Sequence, residues 1–169
     1  MSRLQYLIKT SEEFASKIYP LRDNLEIDDL LLFGSVAKGK NDPKDIDMMV
    51  IHHSSLLEEF KIEFADRKDI SDIEKFSKLR SKLLSRGIDI QIELNGTAAL
   101  DLVTKNLFDL TYMHKDFFTN QEYRSMWRKI NCNPNPNFDK ETFEYGVLWN
   151  PATEKYDIPA NQRYQIPKD

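Results

Sequence analysis

Two clusters of residues could do chemistry together. The first is Phe33-Gly34-Ser35-Val36-Ala37-Lys38-Gly39, and the second is Asp45-Ile46-Asp47 six residues later. Gly34 follows a continuous apolar run, Leu30-Leu31-Leu32-Phe33, which reads as a buried strand feeding a tight turn. A glycine there lets the backbone approach a ligand closely. A helix beginning at the turn would point unpaired N–H groups outward, where they suit a phosphate, and the Ser35 hydroxyl adds a donor. Lys38 and Lys40 follow in the same loop and could contact phosphate oxygens as point charges; their alternative is a solvated loop face.

Asp45-Ile46-Asp47-Met48-Met49-Val50-Ile51 reads as a second strand, after the turn chemistry of Asn41-Asp42-Pro43-Lys44. Strand side chains alternate faces, so Asp45 and Asp47 project to one side and Ile46, Met48 and Val50 to the other. Two carboxylates on one face repel unless a cation lies between them. Mg²⁺ favours such a pair together with phosphate oxygens and water. Alone, Gly-Ser after a strand is an ordinary turn, and Asp-x-Asp is often a solvated face. Their order and spacing here make the joint pattern specific.

This stretch resembles the minimal nucleotidyltransferase domains of the DNA polymerase β-like superfamily, over roughly residues 10 to 110. Phe33, Gly34, Ser35, Gly39 and Asp45-Ile46-Asp47-Met48 fill the motif's slots. The resemblance implies an α/β (α+β) fold, a small mixed sheet backed by helices. It implies transfer of a nucleotidyl group from a nucleoside triphosphate, with ATP as the expected donor, to a hydroxyl on a protein, RNA or small molecule. Mg²⁺ or Mn²⁺ would be the cofactor. A third acid on a later strand belongs to the pattern, and Asp89 takes that place, with Glu93 as its alternative. The expected metal ligands are therefore Asp45, Asp47 and Asp89, and the expected nucleotide contacts are Gly34, Ser35, Lys38 and Lys40. The resemblance departs in two ways: the spacing from Gly34-Ser35 to Asp45 is slightly short, and Val36 stands where many small members have Arg. The large helical substrate domain of aminoglycoside-modifying members is missing. Antitoxins of toxin–antitoxin pairs also resemble this chain, so a regulatory protein acting on a toxin-like partner is the alternative to a free-standing enzyme. A degenerate domain serving only as an interface is a third possibility, against which the intact motifs argue.

Gly34-Ser35-Val36-Ala37-Lys38-Gly39-Lys40-Asn41 also nearly matches a P-loop, G-x-x-x-x-G-K-[ST]. Asn41 lacks the required hydroxyl, and the chain then turns into a strand, where a P-loop would run into a helix. His52-His53 reads as a strand end, and His114 as surface packing between helical segments. Phe108, Tyr112, Phe117, Phe118, Tyr123 and Trp127 are expected to pack a C-terminal helix onto the core.

The surrounding elements must hold these residues in place. Helices are predicted from about Ser11, as N-cap, to Leu25, then from Leu56 to Phe64, from Asp72 to Arg86, and from Thr97 onward with Leu100, Val103 and Leu107 on one face. Ile88 to Leu94 alternates as a third strand between Gly87 and Asn95-Gly96. A boundary is expected near 131, dividing a nucleotidyltransferase domain (1–130) from an irregular C-terminal extension (131–169) that is dispensable for the nucleotide site. Five of the seven prolines lie in that extension.

The 169 residues suit one domain with an appendage, and 40% hydrophobic content suffices for a core. A net charge of −4 argues against a broad non-specific nucleic-acid binder. One cysteine, Cys132, cannot form an internal disulfide, which points to a reducing compartment. With no apolar run long enough for a signal peptide or a membrane span, a cytoplasmic protein without membrane partners is expected.

Overall fold

A computed structural model describes residues 1–53, 107–131 and 137–169. The helices expected at 56–64, 72–86 and from Thr97, the strand at 88–94, and Cys132 lie outside the described residues. The described part is a mixed α/β arrangement: a five-stranded sheet with helices on both faces.

Helix α1 runs from Arg3 to Ile18. Its start is Ser2 rather than Ser11. Ser2 Oγ accepts from the Gln5 backbone N–H at 3.1 Å, and Gln5 Oε1 accepts from the Ser2 N–H at 2.9 Å. This reciprocal capping box satisfies two donors that the helix would otherwise leave unpaired. Ser11 is instead a buried mid-helix residue whose hydroxyl donates to the Ile8 carbonyl. Leu7, Phe14, Ala15 and Ile18 form the buried stripe. A 3₁₀ turn, Tyr19–Leu21, and the single-turn helix α2, Arg22–Leu25, lead into strand β1, Ile27–Phe33. A one-turn helix α3, Gly34–Ala37, follows at once. Strand β2 is Ile46–His52 and pairs antiparallel with β1.

Strand β3, Phe108–His114, lies parallel to β2 in full register, from Ile46 opposite Phe108 to His52 opposite His114. Phe108 and Tyr112 therefore belong to a strand and not to a C-terminal helix. His114 is buried at the end of that strand: its Nδ1 accepts from the Asp116 N–H, and its ring meets His52 and Tyr123 edge-on. A 3₁₀ turn, Lys115–Phe118, then enters helix α4, Gln121–Asn131. Tyr123 and Trp127 of α4 are buried, as expected of them.

The segment from 137 onward is not an irregular tail. Helix α5, Phe138–Tyr145, leads into strand β4, Val147–Asn150, and strand β5, Lys155–Pro159. Strand β4 pairs antiparallel with β1, giving the sheet order β3-β2-β1-β4-β5. β1 is thus a central strand, hydrogen-bonded to β2 on one side and to β4 on the other.

Alternation sorts the side chains into two cores. Leu30, Leu32, Ile46, Met48, Val50 and Trp149 face α1. Leu31, Phe33, Met49, Ile51, Met113 and Leu148 face the other way, against Phe117, Tyr123, Trp127 and Phe143. With both faces covered, the central strands read as nearly unbroken apolar runs. The end of the chain is tied into this second face. The Arg163 guanidinium reaches the buried Asp29 carboxylate at 2.5 Å, and the Tyr164 hydroxyl also donates to Asp29. Asp169 accepts from Arg124 and Arg128 on α4.

The C-terminal segment thus completes the sheet and both cores. A chain ending at Asn131 leaves one edge of β1 unpaired and uncovers Leu31, Leu32 and Phe33. It should lose its cooperative thermal transition, followed by circular dichroism. A sharp transition near that of the whole chain would show that β4 and β5 are accessories.

Candidate functional site

At one end of the β1–β2 ladder Phe33 is the partner of Asp47. At the next residue the chain must leave the sheet. Gly34 does so with φ +67°, in the left-handed region that glycine tolerates best. Space imposes a second demand. A Cβ on Gly34 would lie 2.1 Å from Asp47 Oδ2 and 2.8 Å from its Cγ. The group that approaches Gly34 closely is therefore the Asp47 carboxylate itself. The Ser35 backbone N–H donates to that carboxylate. The turn then closes on itself, with the Lys38 N–H donating to the Gly34 carbonyl and the Lys40 N–H to the Ser35 carbonyl. Gly39 takes a second positive φ, +68°.

The loop returning to β2 is held from α1. Arg3 donates to the Pro43 carbonyl at 3.4 Å and to the Lys44 carbonyl at 2.9 Å, immediately before Asp45. Asp45 precedes β2 by one residue and is partly exposed. Asp47 has the strand parity of Met49 and Ile51, opposite to Ile46, Met48 and Val50, as the alternation predicts.

A third acid joins them from β3. Asp109 is the register partner of Asp47 on the parallel neighbour strand, and it is exposed. Residues paired across a ladder point to the same face. Burial pushes the Asp47 carboxyl up to about 6, and the negative charges of Asp45 and Asp109 push in the same direction, against the Ser35 N–H. Asp89 and its alternative Glu93 lie outside the described residues, so the acid that stands beside Asp47 among the described residues is Asp109. The sequence carried a signal for it. Phe108-Asp109-Leu110-Thr111-Tyr112-Met113 is rich in aromatic and β-prone residues around a single acid. The helical spacing of Leu100, Val103 and Leu107 runs up to its edge and masks it.

Lys38 and Lys40 are both exposed. Lys38 points toward α5, with Nζ 5.1 Å from the centre of the Tyr145 ring. His53 lies outside this group, and its Nδ1 contacts Asp28.

Among the described residues, Asp45 and Asp109 bring carboxylate oxygens near Asp47, the chemistry that a hard divalent cation takes. No group of three or more His, Cys, Asp or Glu side chains among the described residues is gathered closely enough to form a ready metal cage. Mg²⁺ does not require one, since it commonly uses one or two carboxylates and completes its shell with phosphate oxygens and water. No helix among the described residues is long and apolar enough to cross a membrane. The chain matches no protein-family model, no curated protein and no solved structure.

The Gly34–Asp47 contact has two measurable consequences. Gly34→Ala combines left-handed strain with a steric clash and should cost roughly 2–5 kcal/mol in denaturant unfolding. Adding Asp47→Ala should recover the clash component but not the strain. Full additivity of the two substitutions would contradict the contact. The second consequence concerns pH. The folded Asp47 binds its proton more tightly than the unfolded one, whose ordinary value is 3.8. Its contribution to stability is therefore complete below that value and is lost as pH rises through about 6. Asp47→Asn should flatten this part of the stability profile and raise the unfolding midpoint at pH 7. An unchanged profile would contradict the crowding of Asp47.

Proposed function

We propose that this chain is a metal-dependent nucleotidyltransferase with the fold of the DNA polymerase β-like superfamily. It would move a nucleoside monophosphate from a nucleoside triphosphate, with ATP as the expected donor, to a hydroxyl acceptor. The observation that carries this reading is the convergence on one strand end of the Gly34-Ser35 turn with Asp47, Asp45 and Asp109. Three acids on adjacent strand ends repel one another, which is unfavourable for stability and suits a site that receives a cation. Beside them, the Ser35 hydroxyl of the turn would donate to phosphate oxygens.

Asp45 and Asp47 would hold Mg²⁺ or Mn²⁺, with Asp109 as third carboxylate and Asp89 as its competitor. Bound there, the cation would neutralise charge on the phosphate oxygens and acidify the acceptor hydroxyl. In the transfer the acceptor oxygen bonds to the α-phosphorus while the bond to pyrophosphate breaks. Asp109, the most exposed of the three acids, would accept the hydroxyl proton. Ser35 and its turn would orient the triphosphate, and Lys40 would offset its charge from the exposed loop. A toxin-like partner protein, an RNA and a small molecule all present suitable hydroxyls. The cytoplasm, where ATP is plentiful, is the compartment that this activity fits.

The test is transfer of label from α-labelled nucleoside triphosphates to macromolecules of a host lysate, with Mg²⁺ or Mn²⁺. The wild-type chain should label an acceptor, and Asp45→Asn, Asp47→Asn and Asp109→Asn should each lower labelling at least a hundredfold. Asp89→Asn should retain it; the reverse pattern for Asp89 and Asp109 would return the third-acid role to Asp89. Labelling that survives Asp47→Asn would refute the assignment.

A further inference from the structure

Three large hydrophobic side chains among the described residues stand exposed: Met1, Tyr6 and Tyr145. Met1 is the first residue, and Tyr6 lies on α1 with the Arg3 guanidinium near its ring. Tyr145 is different, because its position is tied to the Gly34-Ser35 turn. Strand β4 pairs with β1 through Leu31 opposite Leu148 and Leu32 opposite Val147. The ladder stops there: Tyr145, two residues before β4, is the last residue of α5, which packs against the Gly34–Ala37 helix α3. On the other edge of β1, Phe33 is opposite Asp47. The turn therefore meets Asp47 through Gly34 and Tyr145 through Lys38.

Tyr145 is also rigidly placed. It is the last residue of α5, and Gly146 directly after it is wedged into the fold. A Cβ on Gly146 would lie 2.3 Å from the Thr142 carbonyl oxygen and 2.7 Å from a Leu31 methyl group. The Gly146 N–H donates to the Thr142 carbonyl, and its own carbonyl accepts from the Ala160 N–H. The backbone that carries Tyr145 is fixed, while half of the side chain, 52%, is open to solvent. The Lys38 ammonium, from the end of the Gly34 turn, sits 5.1 Å from the ring centre. A cation near an aromatic ring is attracted to its π-face.

We propose that Tyr145 is the base-stacking platform of the nucleotide site, and that Lys38 moves from its ring to the triphosphate when a nucleotide binds. This rests on the nucleotidyltransferase reading above. A nucleoside bound here would lie with its base against the Tyr145 ring and its phosphates at the Gly34-Ser35 turn, which Lys38 links to that ring. Every base has a π-face, so a stacking contact with no further readout tolerates all four. The ligand class is therefore a nucleoside triphosphate with weak base preference.

Calorimetric titrations with Mg²⁺-ATP, Mg²⁺-CTP and Mg²⁺-tripolyphosphate test this, the last ligand having the phosphates but no base. Tyr145→Leu should weaken ATP binding about five- to a hundredfold and leave tripolyphosphate binding unchanged. Tyr145→Phe should keep ATP affinity within about twofold, and the wild-type chain should bind CTP within about tenfold of ATP. Circular dichroism checks that both variants fold, which the exposure of Tyr145 favours. If Tyr145→Leu binds ATP as the wild type does, or weakens both ligands equally, the stacking role is overturned while the phosphate site stands. If the wild-type chain binds neither ATP nor tripolyphosphate, the nucleotide reading falls and the stacking role falls with it.

Discussion

The contact between Gly34 and the Asp47 carboxylate governs the geometry of this protein. Only a residue without a Cβ can stand there, because the carboxylate occupies the space that a side chain would fill. The same glycine also takes a positive φ, which turns the chain sharply out of β1. One residue thus does two things: it ends the strand and admits an acid to the inner edge of the turn. The Ser35 N–H fastens that acid from the turn side. The same strand and its ladder bring Asp45 and Asp109 to this acid, one just before β2 and one across from it on β3.

Such an arrangement costs stability, and the rest of the fold bears that cost. β1 is gripped on both edges, by β2 and β4, and covered on both faces. The C-terminal segment contributes β4, the buried Trp149 and Leu148, and the Arg163 and Tyr164 clamp on Asp29. Asp29 lies four residues before Phe33 on the same face of β1, so the clamp secures the opposite end of the strand from the site. Burial raises the proton affinity of Asp29, and its two partners oppose that rise by favouring the charged form. Paired and hydrogen-bonded, this buried acid is a structural one. Among the described residues Asp47 meets other acids and one backbone donor and no compensating cation, the kind of environment in which functional carboxylates are found.

How much of this is legible in the sequence depends on how local each signal is. The apolar run into Gly34, the turn at Asp42-Pro43 and the alternation around Asp45-Ile46-Asp47 are readable within a few residues, and the strands and turn lie where those signals put them. Ser11 looks like the start of helix α1 because it precedes an obvious apolar stripe. The stripe in fact begins at Leu4 and Leu7, and Ser2 with Gln5 makes the capping box. β4 and β5 are four and five residues long and flanked by turns. β4 takes its place in the sheet by pairing with β1, more than a hundred residues earlier, which no local pattern reports, and β5 follows by pairing with β4. β3 is hidden in the same way, since a helical spacing upstream runs straight into it. Asp109 stands beside Asp47 through a parallel pairing that sequence proximity does not suggest.

The central claim is that the Gly34-Ser35 turn and the acids around Asp47 together hold a metal-bound triphosphate. A crystal structure of the chain with Mg²⁺ and a non-hydrolysable ATP analogue tests it most directly. The account predicts a cation bound by Asp47 and Asp45, with phosphate oxygens against the turn at Gly34 and Ser35. A triphosphate bound elsewhere, or one seated at the turn with no cation touching Asp47, would contradict it.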